Sequence, residues 1–94
     1  MNMIIVPNEW KEKEPFVYYS LHIWHDSKTY ANESYDYSSC SDAIGTLKNR
    51  IENDKNRIES ATIREETIYK RTENMEISVS SPLIHYDYQT GFRI

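Results

Sequence analysis

The one thiol of this 94-residue chain, Cys40, and its three imidazoles, His22, His25 and His85, are the first candidates for nucleophile, general base or metal ligand. A catalytic set can be drawn with Cys40 attacking, one histidine as base, and Asp26 or Asp87 orienting that base. Any chain of this length with these residues permits the drawing, and no glycine-rich loop offers backbone donors to an oxyanion or a phosphate. A lone cysteine usually serves as a small buried hydrophobe, so no catalytic residue is assigned and a non-enzyme is expected. For metals, His22 and His25 lie three apart on an expected strand and point to opposite faces, while His85 and Asp87 share one. Neither Cys-x-x-Cys nor His-Glu-x-x-His spacing occurs, and a closed zinc site needs four ligands. No metal or other cofactor is expected.

A second pattern spans residues 44–71, IGTLKNR-IENDKNR-IESATIR-EETIYKR, in which each block of seven closes on arginine. On one helix, Arg50, Arg57, Arg64 and Arg71 would form a rail with a guanidinium about every 10 Å, able to meet phosphates or an acidic partner. Glu59, Glu65 and Glu66 dilute its field. The plainer role is a solvated shoulder whose aliphatic stems cover apolar surface. Arg50 with Asp54, Lys48 with Glu52 and Lys55 with Glu59 have the spacing of intrahelical ion pairs. A parallel zipper of two copies is disfavoured, because the arginines at g would oppose Lys48 and Lys55 at e and Asp54 at d would be buried. Other dimers stay open.

The third pattern is aromatic. In PFVYYSLHIWHD, residues 15–26, one face of a strand carries Val17, Tyr19, Leu21 and Ile23, and the other carries Phe16, Tyr18, Ser20, His22 and Trp24. Tyr30, Tyr35 and Tyr37 follow. Tyrosine and tryptophan are enriched at interface hot spots, and they also stack on nucleobases where positive charge surrounds them. Here Asp26, Glu33 and Asp36 stand nearby, which favours a protein partner and disfavours direct nucleic-acid binding. The expected partner contacts are Tyr18, His22, Trp24, Asp26, Glu33, Tyr35 and Asp36. The competing reading buries these rings in the core of a small domain.

These side chains need elements to hold them. Isoleucine and leucine at a and d, an N-cap at Ser41 or Asp42, and no proline between 46 and 81 predict one helix over about 42–72, roughly 45 Å long. An alternative ends it near Ala61 and starts a strand at Ile63, on the β-branched residues there. Residues 15–38 read as one hairpin and 75–88 as another, with Ser81-Pro82 between its two strands. Residues 1–14 read as a terminal arm or a short edge strand. The expected fold is a single α+β domain, an antiparallel sheet of about four strands packed on one long central helix. The docking face depends on that rod sealing the opposite side of the sheet. A break near Ala61, or a second element over Trp24, would remove it.

Composition narrows the function classes. Net charge is −4, with 38% hydrophobic and 28% charged residues, and the pI is near 5.3 with mean hydropathy −0.78. An acidic chain lacks the basic surface that grips a phosphate backbone. A single cysteine excludes an internal disulfide and fits a reducing cytoplasm. The start, MNMIIVPNEW, has neither a basic flank nor an apolar run long enough for a signal peptide, and no segment approaches a membrane span. Abundant Ile, Asn, Tyr and Lys suggest an AT-rich coding genome, as in a low-GC bacterium or its phage. In composition the chain resembles phage-encoded inhibitors of host enzymes, such as anti-CRISPR and other counter-defence proteins, and barstar-like inhibitors. The expected function is a small acidic binding protein that blocks or modulates a larger partner, a nucleic-acid enzyme among the candidates. The alternative is a small-ligand or nucleotide binder using aromatic stacking and the arginine column.

Overall fold

In the computed structural model, which describes residues 6, 14–26, 29–55, 57–72 and 74–93 (the side chains of Arg71 and Thr72 excepted), FVYYSLHIW forms strand β1, Phe16–Trp24. Alternation along the pleat sends Leu21 and Ile23 to one face, where both are fully buried. ESYDY returns antiparallel as β2, Glu33–Tyr37, with Tyr19 opposite Tyr37 and Ile23 opposite Glu33. The expected terminal arm lies, apart from Val6 and Glu14, outside the described residues.

Helix α1 runs over Cys40–Asn53. Its N-cap is Ser39, two positions before the expected Ser41 and three before Asp42, and the Ser39 Oγ accepts from the Asp42 N–H at 3.2 Å. Ala43 and Leu47 are fully buried, with Ile44 and Ile51 packed beside them, so the helix presents one apolar stripe. The next positions on that stripe are Asp54 and Lys55, which have nothing apolar to bury. Asp54 caps the helix in extended backbone, its N–H donating to the Arg50 carbonyl at 3.0 Å. The rod expected over 42–72 is therefore absent.

Residues Ser60–Thr72 form β3, a strand of 13 residues. Burial there has period two: Ala61 and Ile63 are fully buried, and the residues between them face the other way. Thr62, Ile63, Thr67, Ile68 and Thr72 suit a pleated backbone. Pairing with β1 on one side and β4 on the other then outweighs the weak helix preference of the remaining residues. Strand β4, Met75–Asp87, is likewise a single strand of 13 residues and not two short ones. It passes through Pro82, which sits opposite Arg64, with Leu83 left over as a bulge. Proline is accepted there because no described strand pairs with β4's outer side at that point. Gly91, at φ 82°, turns the chain into β5, Gly91–Arg93.

The result is an α+β fold, a five-strand antiparallel sheet in the order β2-β1-β3-β4-β5 with α1 on one face. The core is Leu21, Ile23, Ala43, Leu47, Ile58, Ala61 and Ile63. No described helix is long and apolar enough to cross a membrane. The β3–β4 hairpin runs on past the end of β1, whose pairing with β3 stops at Phe16 opposite Ile68. The radius of gyration is accordingly 15.5 Å, against about 12 Å for a compact chain of this length.

Two substitutions check this account by urea unfolding. Leu47→Ala should cost about 2–5 kcal/mol, since the side chain is fully buried between helix and sheet. Gly45→Ala should stabilise by about 0.5–1 kcal/mol, because Gly45 lies inside α1 and an added Cβ meets nothing within 4 Å.

Candidate functional site

Two clusters of side chains could carry function, one on each face of the sheet. On the face turned away from α1, strand parity aligns Tyr18, Ser20, His22 and Trp24 of β1 with Ser34 and Asp36 of β2 and with Thr62, Arg64 and Glu66 of β3. Ser20, only 5% exposed, is the one buried polar residue among those described. It donates to Glu66 Oε1 at 2.9 Å. Having spent its proton there, Ser20 must accept from His22 Nε2 at 3.2 Å. In the neutral ring that tautomer leaves Nδ1 to accept from Ser34 Oγ at 3.0 Å. From the other side Arg64 Nε donates to Ser80 Oγ at 2.7 Å, and Ser80 Oγ donates to the same Glu66 oxygen at 2.7 Å. Two donor chains across four strands thus converge on one carboxylate.

Aromatic rings flank this polar ladder. Phe16, 65% exposed, tilts against Tyr18 with ring centroids 5.8 Å apart, and the two line an open hollow of about 300 Å³ with Asp36, Tyr37 and Ser38. At the other end of β1, Trp24 lies 6.3 Å from the His22 ring and lines a hollow of about 420 Å³ with Asp26, Thr29, Glu59 and His85. His85 is hydrogen-bonded to Thr62 Oγ1 at 3.0 Å.

The second cluster lies on the helix side. Arg50, in the last turn of α1, donates through Nη2 to both Glu33 oxygens at 2.8 and 3.0 Å and through Nε to Asp54 at 2.7 Å. Glu33 also accepts from the Tyr35 hydroxyl and, at 2.6 Å, from His25 Nε2. His25 Nδ1 faces the Arg57 carbonyl at 3.2 Å, so both ring nitrogens point at acceptors and the ring is suited to the doubly protonated form. Donors crowd around Glu33, Arg50 foremost, and hold its carboxyl down to about 2. The hydrogen bond to Glu33 raises the His25 pKa, and Arg50 lowers that of Asp54. His25, Glu33 and Asp54 have ligand atoms within 4.8 Å of one another. A cation there would have to evict the guanidinium already bonded to both carboxylates, so the cluster is an ion-pair knot and not a metal cradle.

The expected partner contacts therefore do not share one surface. Tyr18, His22, Trp24 and Asp36 do, and Asp26 borders the hollow beside Trp24. Glu33 and Tyr35 lie on the opposite parity, opposite Ile23 and Leu21, and belong to the knot. The arginine rail dissolves with the rod. Arg50 is in the knot, Arg57 follows the helix and stacks over the Tyr88 ring at 4.1 Å, and Arg64 faces Ser80 across β3 and β4, while Arg71 sits near the end of β3. Cys40 opens α1, whereas His22 and His85 bond to side chains on the far face and His25 to Glu33, so the catalytic set is not assembled. The pair Arg50–Asp54 was legible from its spacing of four. Glu33 and Glu66 as hubs were not, because each gathers partners from several elements, Arg50 lying 17 residues from Glu33 and Ser20 lying 46 from Glu66. Comparison with protein-family models, curated proteins and solved structures found no match to this chain.

The knot predicts a pH signature. The Glu33 pKa is depressed on folding, so its contribution is complete above 4.5 and disappears as pH falls toward about 2. The His25 pKa is raised above 6.5, so its contribution is complete below 6.5 and disappears as pH rises through the raised value. Urea midpoints should show this contribution greatest between 4.5 and 6.5, and Glu33→Gln should flatten both limbs. Unchanged slopes in that variant would contradict the assignment.

Proposed function

We propose that this is a non-enzymatic binding protein that docks on a larger protein partner through the sheet face turned away from α1. The observation that carries the reading is the combination on that face of solvent-accessible rings at both ends of β1 with a polar ladder whose hydrogen bonds are already made internally. Satisfied polar groups cost little to desolvate in an interface, and rings at its ends supply contact area. The rod from which this face was first deduced does not exist. The face rests instead on strand alternation beneath a helix of 14 residues. The contact set accordingly loses Glu33 and Tyr35, keeps Tyr18, His22, Trp24 and Asp36 with Asp26 at the rim, and gains Phe16.

The finer form of the proposal is inhibition in the cytoplasm of a nucleic-acid enzyme, with the carboxylates of a chain of net charge −4 occupying a basic groove, as a phage-type counter-defence protein would. The nucleotide-binding alternative loses its main support, since Arg50 is on α1, Arg57 follows it, and Arg64 and Arg71 are on β3 at positions of opposite parity, so the four no longer form a column.

Affinity capture from a host lysate followed by mass spectrometry identifies the partner, and direct titration then tests the face. Tyr18→Ala and Trp24→Ala should each weaken binding by about 30-fold. Tyr30→Ala, in the loop between β1 and β2 and 85% exposed, should leave it unchanged. Equal affinity for all three variants would refute the assignment, as would a rise in melting temperature with nucleotides alone.

A further inference from the structure

The two lateral edges of the sheet are not equally protected. Strand β2 is five residues long and carries Glu33 and Asp36, the short and charged edge that discourages further pairing. On the other side β5 pairs with β4 only at His85, Tyr86 and Asp87. Among the described residues no strand covers β4 from Met75 to Leu83. Pro82 and the Leu83 bulge guard one end of that stretch and Glu76 the other. Between them Ile77-Ser78-Val79-Ser80-Ser81 carries no charge, proline or glycine.

The direction of the free backbone groups follows from Pro82. It has no N–H to give, so it faces Arg64 as a non-hydrogen-bonded pair, and the register continues without a shift from Arg64↔Pro82 to Lys70↔Glu76. Ile77, Val79 and Ser81 therefore spend their N–H and C=O groups on β3, while Glu76, Ser78 and Ser80 direct theirs outward.

We infer that this edge binds a second copy of the chain, β4 against β4 antiparallel, about a two-fold axis through Ser78. That register pairs Ser78 with Ser78 and Glu76 with Ser80, so about six backbone hydrogen bonds form and no like charges meet. It places Ile77 opposite Val79 twice, on the α1 side of the sheet, beside Thr67 and Tyr69 of β3. Shifting the axis to Val79 sets Glu76 against Pro82, which has no N–H, and Ile77 against Ser81, so both the ladder and the apolar pairs are poorer. The sequence of the edge is thus complementary to itself, which is the reason to name a second copy over a foreign strand. An isologous pair also closes, using up the open edge without leaving another of its kind. A two-fold axis normal to the sheet keeps both docking faces on the same side, which makes the dimer bivalent.

Sedimentation equilibrium on the full chain should show a mass that rises with concentration from 11.2 kDa toward twice that value. Ser78→Pro removes one outward N–H and no bond to β3, as Pro82 already does in the same strand, and should weaken association at least about tenfold with an unchanged circular dichroism spectrum. If that variant misfolds, Ile77→Lys serves in its place. Register is read by cross-linking in a Cys40→Ser background. Ser78→Cys should form a disulfide-linked dimer, its Cα atoms being about 5.5 Å apart across the axis. Ser80→Cys, whose two copies lie about 13 Å apart, should not. A monomer at every concentration, a dimer indifferent to both β4 substitutions, or equal cross-linking at positions 78 and 80 would each overturn the inference.

Discussion

A helix of 14 residues spans about 21 Å, and a strand of 13 residues spans about 43 Å. That mismatch in length organises the molecule. Helix α1 can roof only the half of the sheet where Leu21, Ile23, Ala61 and Ile63 lie, so the core is gathered there. Among the described residues, nothing roofs the other half of the β3–β4 hairpin and, past Phe16, β1 does not pair with it. A two-stranded ribbon is marginal in water by itself, and this one is tied to the core by pairing of β3 with β4 that resumes on either side of the Leu83 bulge. The elongated outline, 47 × 28 × 23 Å, and the stretch of β4 that no described strand pairs with on its outer side follow from the same constraint.

Within the roofed half, each face has a different hub. On the helix side Arg50 ties the C-terminus of α1 to the start of β2 through Glu33, and His25 brings the end of β1 to the same carboxylate. The knot fixes the helix where its short apolar stripe meets the sheet. On the far side Glu66 gathers donors from β1 and β4. Both hubs are carboxylates that accept several hydrogen bonds within the fold. The rings around the Glu66 ladder are the basis of the docking proposal for this face.

Much of the architecture was legible in local pattern. The alternation of Val17, Tyr19, Leu21 and Ile23 with Tyr18, Ser20, His22 and Trp24 predicted β1 and its two unlike faces, and the class of fold followed from hairpins flanking a helix. Residues 54–72 were misread because Ile51, Ile58, Ala61 and Ile68 satisfy a seven-residue spacing and the arginines repeat with them. In the structure Ile58 is buried in the approach to β3, and Ala61 and Ile63 are buried by strand alternation, so the heptad is a coincidence of two different periods. Asp54 and Lys55, where the stripe should have continued, were the local sign that it did not. At Pro82 the expected break was overridden because the residue lies at an edge where its missing N–H has no described partner strand.

The sequence by itself determined the alternation along β1 and the polarity of its two faces, the Arg50–Asp54 pair and an acidic chain with few turns, since all of these depend on neighbours within a few positions. Tertiary structure alone decided that residues 60–72 are a central strand, that Glu33 and Glu66 are hubs, and that Glu33 and Tyr35 lie on the opposite face from Trp24. Those outcomes hinge on which strands become neighbours and in what register. Pairing energy of that kind is shared between segments tens of residues apart, and a local reading does not contain it.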